Sequence, residues 1–326
     1  MNSQVCDITS TIKFLEVFLS KKTGKKIFES NISPWRREIS GDLTSVFRPF
    51  NGEEITLPEF LDRDKFVKSI YNARFKGLPD NFRNLSEEEA RAGSDDPWGA
   101  GLVPSQEKGT KPSSALFYEL YVDGGLSKDN GLFKMNLQAS DRRFGKNAWG
   151  APFQVFAPGK YLDSKTNRYE SVKMWSFAVT AGDSLGFDWP LENFENGRYH
   201  LQAYGPNGFF REFRGDKVDP QILVSCHYLS EDSKKGLGKA VLRIRNLDKQ
   251  RPLQITVSDN AYKNPIQKRT IDSSGEVEVP VETVPSHGWY DFSLQLEGSP
   301  TFLRRFAGRV EFGKPSQSDP FMGGVV

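Results

Sequence analysis

Phe209-Phe210-Arg211-Glu212-Phe213-Arg214-Gly215 and Phe302-Leu303-Arg304-Arg305-Phe306-Ala307-Gly308 share the pattern F-x-R-x-F-x-G. The two Phe and the Arg of each copy are two residues apart, so their side chains leave the same face of a strand. A G-x-Y triplet precedes each copy, and Gly or Pro lies between triplet and pattern. This order predicts a strand–turn–strand hairpin that closes each of two successive β domains. The triplets are Gly197-Arg198-Tyr199 and Gly288-Trp289-Tyr290.

Apolar residues alternate with polar ones from about Ser114 to the second hairpin, in two sets. Phe213 and Phe306 are 93 residues apart, close to the size of one β-sandwich. Strand patterns at regular intervals, with turn residues between them, predict antiparallel immunoglobulin-like sandwiches and not a parallel sheet. The alternating positions are Phe133, Met135, Leu137, Ala139, Phe153, Val155, Ala157, Trp175, Phe177 and Val179, then Ile222, Val224, Leu242, Ile244, Leu253, Ile255, Val257, Val277, Val279 and Val281.

Residues 1–75 have a helical pattern that precedes the strands. Asp7 can cap a helix in which Ile12, Leu15 and Leu19 recur at helical spacing, and Gly24 follows it. A second helix is predicted over 57–75. Residues 76–114 are rich in Pro and Gly and are predicted to be an irregular linker without a helix or a long strand. The predicted domains are therefore 1–75, linker 76–114, sandwiches 115–216 and 217–313, and tail 314–326.

The composition excludes several classes of partner and anchor. The chain has 326 residues, 26% of them charged, and a formal net charge of +2, so no nucleic-acid partner is predicted. No apolar run approaches the ~18 residues that span a bilayer. The first residues have neither a basic start nor an apolar core, so no signal peptide is predicted. Cys6 and Cys226 are predicted to be two buried thiols without a disulfide, and the three histidines lack the spacing of a zinc site.

The candidate catalytic groups all have simpler structural interpretations. Ser286 and His287 are adjacent, so on a strand they point to opposite faces and cannot form a nucleophile–base pair. Arg211 and Arg304 could bind phosphate. Their repetition favours a structural role, with each arginine paired to a carboxylate or backbone carbonyl at the edge of its own sandwich. Neither a nucleophile elbow nor a phosphate-binding loop occurs in the sequence.

Other conspicuous residues are predicted to be turn or core residues. Asp259-Asn260-Ala261-Tyr262 and Asp141-Arg142-Arg143 are typical of turns. The tryptophans could form a ligand platform but are more typical of a sandwich core. No catalytic residue, cofactor-binding residue or metal ligand is therefore predicted in this chain. The tryptophans in question are Trp98, Trp149, Trp189 and Trp289.

Four ordered segments resemble the C-terminal part of bacterial phosphocholine-specific phospholipases C. The sequence departs from that family's pattern at Cys6 and Ile8, where the family has Phe and His. The segments are Asn2-Ser3-Gln4-Val5-Cys6-Asp7-Ile8-Thr9-Ser10, Asn31-Ile32-Ser33-Pro34-Trp35-Arg36-Arg37 with Gly41-Asp42-Leu43-Thr44-Ser45, Tyr118-Glu119-Leu120-Tyr121-Val122-Asp123-Gly124 with Tyr204-Gly205-Pro206-Asn207-Gly208-Phe209, and Ser286-His287-Gly288-Trp289-Tyr290-Asp291 with Phe306-Ala307-Gly308-Arg309 and Ser318-Asp319-Pro320.

The resemblance implies a fold and a function for the longer enzyme. The fold would be mainly β, with two tandem sandwiches preceded by a short helical remnant of an α/β alkaline-phosphatase-like catalytic domain. The enzyme would hydrolyse phosphatidylcholine or sphingomyelin with a divalent metal held upstream of the Asn2 segment. The implied partners of this chain are that catalytic domain and a phospholipid surface, and the enzyme would be exported. This chain itself would be catalytically silent.

Two other functions are compatible with the same residues. The chain could be a free-standing module of paired sandwiches that binds lipid headgroups or carbohydrate. It could also be an intact small hydrolase, which would require a catalytic constellation that the sequence does not reveal. If the first helix packs against no other part of the chain, its apolar stripe is expected to be exposed or to bind a partner.

Overall fold

The computed structural model describes residues 5–47, 49–54, 59–77, 82–95, 108–232 and 237–326. The chain forms two compact units, Met1–Glu29 with Asp42–Glu107, and Ser30–Gly41 with Lys108–Val326. The described helices are α1 (Ile8–Thr23), α2 (Pro34–Ile39), α3 (Arg63–Ala73) and α4 (Glu87–Asp95). The described strands are β1 (Pro112–Ser113), β2 (Leu120–Leu126), β3 (Leu132–Ala139), β4 (Ala151–Asp163), β5 (Arg168–Val179), β6 (Asp183–Pro190), β7 (Arg198–Tyr204), β8 (Phe210–Asp216), β9 (Ile222–Asp232), β10 (Leu237–Asn246), β11 (Leu253–Asp259), β12 (Gln267–Ile271), β13 (Glu276–Val281), β14 (Trp289–Leu296), β15 (Ser299–Arg309) and β16 (Ser316–Gln317).

The first predicted helix is confirmed as α1. The Thr9 amide donates a hydrogen bond of 2.8 Å to Asp7 Oδ1, and the Asp7 amide donates one of 3.1 Å to Ser10 Oγ. These reciprocal bonds satisfy amides that the first turn leaves unpaired. Gly24 ends the helix with φ 68, a left-handed conformation that glycine adopts without steric cost. None of the described helices combines the length and apolar character needed to span a membrane.

The prediction that the linker contains no helix is wrong. Helix α4 begins after Ser86, whose Oγ accepts a bond from the Glu89 amide while Glu89 Oε2 accepts one from the Ser86 amide. This capping box, S-x-x-E, initiates a helix in the acidic run, and the prolines of the linker lie outside it. Helix α3 is shorter than predicted and begins after the Asp62 cap. Residues 55–58, 78–81 and 96–107, which include Trp98, lie outside the described residues.

The second unit is mainly β and antiparallel, as predicted. One eight-stranded sheet has the order β12-β11-β14-β15-β8-β7-β4-β5. Two three-stranded sheets, β2-β3-β6 and β13-β10-β9, form a second layer. Each repeat thus contributes seven strands, four to the large sheet and three to its own small sheet, which is the strand count of an immunoglobulin-like sandwich.

The two sandwiches are joined at the closing strands of the two repeated hairpins. Strands β8 and β15 pair antiparallel, so the large sheet continues from one repeat into the other. Arg211 lies opposite Phe306, and Arg304 lies opposite Phe213. The F-x-R-x-F motifs therefore face each other across the junction, with the arginine of each beside the second Phe of the other.

Each sandwich has its own apolar core. The first contains Phe133, Leu137, Phe153 and Val155, and the second contains Leu242, Ile244, Phe292 and Leu294. The chain from Ser316 returns to pair with β1, and Trp289 Nε1 donates to the Gln317 carbonyl at 3.1 Å. The last residues are thereby attached to the start of the β unit. The predicted boundaries at 115, 216 and 313 stay a prediction.

Candidate functional site

The serine and histidine at the entry to the second hairpin do not act on each other. Ser286 Oγ lies within hydrogen-bonding distance of the Thr283 carbonyl, at 3.0 Å, and of the Trp289 carbonyl, at 2.6 Å. The hydroxyl therefore secures the backbone of the turn, where His287 has a φ of 57. Cys226 is a buried free thiol, as predicted. Cys6 is also free but exposed, so the prediction that it is buried is wrong; it precedes helix α1 and lies outside both apolar cores. Among the residues that the structure describes, no three His, Cys, Asp or Glu side chains are grouped to hold a metal ion.

Arg211 lies inside the junction of the two sandwiches and is only 1% exposed. Its Nη1 donates to the carbonyls of Phe210 and Ala307, at 2.8 and 2.9 Å. Its Nη2 donates to the hydroxyls of Tyr228 and Tyr290, at 2.9 and 3.1 Å. The carbonyl of Ala307 and both tyrosines belong to the second sandwich, although Arg211 belongs to the first.

Arg304 makes the reciprocal arrangement from the second sandwich and is 2% exposed. Its Nη1 donates to the carbonyls of Arg214 and Leu303, at 2.8 and 2.9 Å, and its Nη2 donates to the Tyr199 hydroxyl at 2.8 Å. Its Cζ lies 5.6 Å from the ring centroid of Phe213. Each repeat therefore places its arginine among the aromatic and tyrosine side chains of the other repeat.

These contacts correct the prediction for the two arginines. The carbonyl partners are as predicted, but the remaining hydrogen bonds go to tyrosine hydroxyls and no carboxylate is among the bonds described for either guanidinium. The arginines also lie between the sandwiches and not at the edge of their own. Burial closes both guanidinium groups to phosphate. The sequence shows that these side chains face inward, but not into which core they extend.

The tyrosine of each G-x-Y triplet explains the last glycine of each motif. Tyr199 lies directly opposite Gly215, and Tyr290 lies directly opposite Gly308. A Cβ at Gly215 would overlap the Tyr199 hydroxyl and the Asp219 carboxylate, and one at Gly308 would lie 3.1 Å from the Tyr290 oxygen. The glycines leave room for the tyrosine hydroxyls that accept hydrogen bonds from the exchanged arginines.

The described tryptophans do not form an exposed platform. Trp189 is fully buried in the first core, and Trp149 packs against that core. Trp289 is held by its bond to Gln317. The predicted turn at Asp259 is confirmed, because Asp259 Oδ1 accepts bonds from the amides of Ala261 and Tyr262, at 2.8 and 2.7 Å.

Three partly or fully exposed aromatic side chains and an exposed methionine lie instead on the outer face of the eight-stranded sheet. We call Met174, Phe156, Tyr204 and Phe210 the aromatic stripe; they come from β5, β4, β7 and β8, which are neighbours in the sheet. The rings of Phe156 and Tyr204 are 5.5 Å apart and perpendicular, and those of Tyr204 and Phe210 are 4.9 Å apart. Tyr204 is 42% exposed and Met174 is 50% exposed.

Polar side chains continue the aromatic stripe toward the second sandwich. The Arg305 guanidinium lies 5.5 Å from the ring centroid of Phe210 and makes two bonds, of 2.8 and 2.6 Å, to the Asp291 carboxylate. Beside the stripe, His200 Nε2 and Glu212 Oε1 are 2.7 Å apart. Burial alone would raise the pKa of Glu212, but the hydrogen bond and charge of His200, the hydrogen bond of Gln202 and the charge of Arg214 together lower that pKa. The two carboxylates beside the stripe are therefore both paired, Glu212 with His200 and Asp291 with Arg305.

A second serine–histidine pair lies on the small sheet of the second sandwich. Ser225 Oγ and His227 Nε2 are 2.8 Å apart, because the two residues are two apart on β9 and share one face. Burial and the nearby positive charges of Arg243 and Arg142 lower the pKa of His227. Within the described ranges, the other ring nitrogen of His227 makes no bond to a carboxylate, so the pair lacks the third member of a triad.

A buried ion pair lies where the two sandwiches meet the C-terminal segment. Arg309 Nη1 and Glu311 Oε2 are 3.1 Å apart, with side chains 2% and 4% exposed. Asn207 also donates to Glu311. Burial raises the pKa of Glu311 to about 7, although Arg309 and Asn207 oppose that shift. Arg143 joins the same region by donating to the carbonyls of Glu311 and Tyr228.

A family model and individual protein sequences both show similarity to bacterial phospholipases C. Residues 112–216 and 222–309 match the family model described as bacterial phospholipase C, C-terminal domain. The chain is 32% identical to a non-hemolytic phospholipase C of Pseudomonas aeruginosa, over 99% of this chain and 41% of that protein. It is 31% identical to a non-hemolytic phospholipase C of Burkholderia pseudomallei, over 98% of this chain and 40% of that protein. A hemolytic phospholipase C of P. aeruginosa is 29% identical, over 99% of this chain and 42% of that protein. The chain thus spans about two fifths of the length of these relatives.

Proposed function

Since this chain belongs to the bacterial phospholipase C family and carries its C-terminal domain, we propose that its β unit is a non-catalytic brace of a phospholipase C. The longer enzyme would hydrolyse the phosphodiester of phosphatidylcholine or sphingomyelin with a divalent metal. The described residues contain no group of acidic, histidine or cysteine side chains suited to that metal. In this proposal the metal is held by a catalytic domain, which is the proposed partner of this chain.

The observation that carries this proposal is the packing of residues 30–41 with the β unit. Ile32 is 7% exposed and Ser40 is 2% exposed, and Trp35 Nε1 donates to the Tyr118 hydroxyl. This segment precedes the sandwiches by some seventy residues in the sequence, yet it packs with them. A β unit that holds a distant upstream segment is suited to stabilise the region from which that segment comes.

Amide hydrogen exchange of the full chain tests the brace. We expect the amides of Arg37 and Ser40, which bond to carbonyls within the segment, to exchange only on opening of the β unit. Trp35→Ala should release that protection, whereas Phe60→Ala, at a fully exposed phenylalanine, should leave it unchanged. Exchange of 30–41 at the rate of an unstructured peptide would contradict the brace.

Hydrolysis of a phosphorylcholine ester by the purified chain, with added divalent metal, tests the absence of a catalytic role. We expect no turnover above that of the metal alone. Turnover that is abolished by one substitution within this chain would overturn this part of the proposal.

An enzyme acting on membrane lipids must also reach them, so we further propose that the longer enzyme is exported and that the β unit helps to position it at a phospholipid surface.

A second candidate is a free-standing binding module for lipid headgroups or carbohydrate. The exposed aromatic stripe favours it, since most of the apolar side chains on these strands are otherwise buried. Co-sedimentation of the chain with phosphatidylcholine vesicles separates the lipid form of this candidate from the brace. Binding that persists in the isolated chain would support the module.

A further inference from the structure

The outer face of the eight-stranded sheet carries a surface that the bracing role does not use. The aromatic stripe crosses four neighbouring strands, and its exposed members face solvent in the described part of the β unit. Strands β4, β5, β7 and β8 bury their other faces in the first core. The buried face of the sheet therefore fixes the backbone of the stripe, which limits the conformational entropy that the rings would lose on binding a ligand.

The stripe is edged by hydrogen-bonding side chains with little net charge. Gln202 lies in register between Phe156 and Glu212, and its Oε1 accepts a bond of 3.1 Å from the Tyr204 hydroxyl. Glu212 is paired with His200, and Asp291 is paired with Arg305. The surface thus offers amide and guanidinium groups beside the aromatic rings. Arg214, exposed and in register with His200, adds a second guanidinium, so two guanidinium groups face two carboxylates and neither charge is in excess.

We propose that the aromatic stripe and its polar edge form a binding site for a neutral carbohydrate chain. A sugar ring has an apolar face of C–H groups that can stack on an aromatic ring and a rim of hydroxyls that need paired donors and acceptors. Phe156, Tyr204 and Phe210 supply the stacking surface. Gln202 and Arg305 supply donors, and the exposed Tyr204 hydroxyl supplies an acceptor, at positions fixed by the sheet register.

The same features disfavour other ligands. An acyl chain would leave the Arg305–Asp291 and His200–Glu212 pairs desolvated against hydrocarbon. Nucleic acid or an anionic bilayer surface would require an excess of Lys and Arg. Around the stripe, the guanidinium groups of Arg305 and Arg214 are balanced by the carboxylates of Asp291 and Glu212. A neutral polyol matches both the rings and the balanced pairs.

The groove at the other end of the same face extends this polar surface. It has a volume of ≈ 530 Å³ and is lined by Gln254, Thr256, Lys268, Gln295 and Glu297, among others. Thr256 pairs in register with Lys268 and with Gln295, so the groove lies across β12, β11 and β14. A carbohydrate chain that stacks on the stripe could continue toward these amide and hydroxyl groups.

Native affinity electrophoresis of the full chain tests this site. The gels contain hydroxyethyl cellulose, xyloglucan, galactomannan or dextran, and the shift is compared with that in a gel without polysaccharide. We expect retardation by at least one of these polymers. Tyr204→Ala and Phe210→Ala should each weaken the apparent affinity about tenfold or more, the effect of losing one stacking ring of about 1.4 kcal/mol. Tyr204→Phe, which keeps the ring, should retain most of the binding.

Tyr169→Ala is the matched control, because Tyr169 is a 52% exposed tyrosine of the same sheet outside the stripe. It should not change the retardation, and all variants should keep the wild-type melting temperature. Absence of retardation in every gel overturns the proposal, and so does retardation that Tyr204→Ala leaves unchanged. Tyr204-dependent vesicle binding or self-association without polysaccharide binding also overturns it. None of these outcomes bears on the bracing role, which depends on residues 30–41.

Discussion

At the scale of single residues, the two repeated arginines have the most demanding environment in the molecule. Arg211 is surrounded by the rings of Phe209, Phe306 and Tyr290, with its Cζ between 4.1 and 5.7 Å from the ring centroids. A buried guanidinium is stable only when its donors are paired. Carbonyls and tyrosine hydroxyls accept four bonds from the two Nη atoms of Arg211, whereas its Nε has no partner among the described residues. The planar fork of the two Nη atoms is therefore required as well as the charge.

Replacing either buried arginine by lysine should therefore destabilise the β unit. We expect Arg211→Lys and Arg304→Lys each to lower the free energy of unfolding by about 3 kcal/mol, because an ammonium cannot reach the carbonyls and the hydroxyls together. Arg214→Lys is the matched control, since Arg214 belongs to the same motif but is exposed. Its effect should stay within about 0.5 kcal/mol. Chemical denaturation measures all three, and equal effects at Arg211 and Arg214 would contradict this account.

Glu311 should make stability depend on pH. Burial raises the pKa of this carboxyl to about 7, whereas its ordinary value is 4.5. A group whose pKa is raised on folding stabilises fully below its unfolded pKa, and that stabilisation is lost as pH rises through the folded pKa. Between pH 5 and 8, the free energy of unfolding of the wild type should fall relative to that of Glu311→Gln by on the order of 3 kcal/mol.

Denaturation of both proteins at several pH values measures this difference. Glu278→Gln provides the control, because the Glu278 side chain is 51% exposed in its pair with Arg243. The difference between wild type and Glu278→Gln should be nearly constant over the same range. A constant difference for Glu311→Gln as well would show that Glu311 does not titrate there.

At the scale of elements, the closing hairpins show how one motif serves two purposes. The tyrosine that begins each hairpin lies over the glycine that ends it, and the tyrosine hydroxyl then accepts a bond from the arginine of the other hairpin. The G-x-Y and F-x-R-x-F-x-G patterns are thus one structural unit. The spacing of the residues predicts the hairpin, and the strand pairing within each hairpin explains its glycine. Only the pairing of β8 with β15 explains why each tyrosine meets the arginine of the other repeat.

The two motif glycines should differ in their tolerance of a side chain. Gly215→Ala would push a methyl group into Tyr199 and Asp219, and we expect a loss of about 3 kcal/mol in unfolding free energy. Gly308 has a φ of 147, which residues with a side chain rarely adopt, and a new Cβ would lie 3.1 Å from the Tyr290 oxygen, so a smaller loss of about 2 kcal/mol is expected. Thermal melting of the two variants compares them, and a larger loss at Gly308 would be inconsistent with this geometry.

The sequence predicts individual helices and strands better than it predicts which of them are neighbours in the fold. Alternation identifies the inward residues of β3 and β10, such as Leu137 and Leu242, because burial of one face is a local property of a strand. It misses α4, since this short helix is flanked by the prolines and glycines of the linker, such as Pro79 and Pro97. It also misses the aromatic stripe, because Phe156 and Tyr204 are far apart in sequence and come together only through strand order.

At the scale of the whole β unit, the exchanged arginines and the shared sheet make the two sandwiches one body. Periodicity predicts two similar domains in tandem, each with a core, and both cores are present. Periodicity does not predict that β8 pairs with β15. Which strand edges of the two repeats meet is not encoded in the alternation of apolar and polar residues. A single body of this kind is suited to bracing, since it presents the surface that holds residues 30–41 in a fixed geometry.

The most direct test of this account is amide hydrogen exchange of the full chain in increasing sub-denaturing concentrations of guanidinium chloride. Strand β3 reports on the first sandwich and strand β10 on the second. We predict that the most protected amides of both strands have the same opening free energy and the same denaturant dependence, because neither sandwich can open without unpairing both buried arginines. Arg211→Lys should lower the opening free energy of both strands together. Opening of one sandwich at a lower denaturant concentration, with the other still fully protected, would contradict the account.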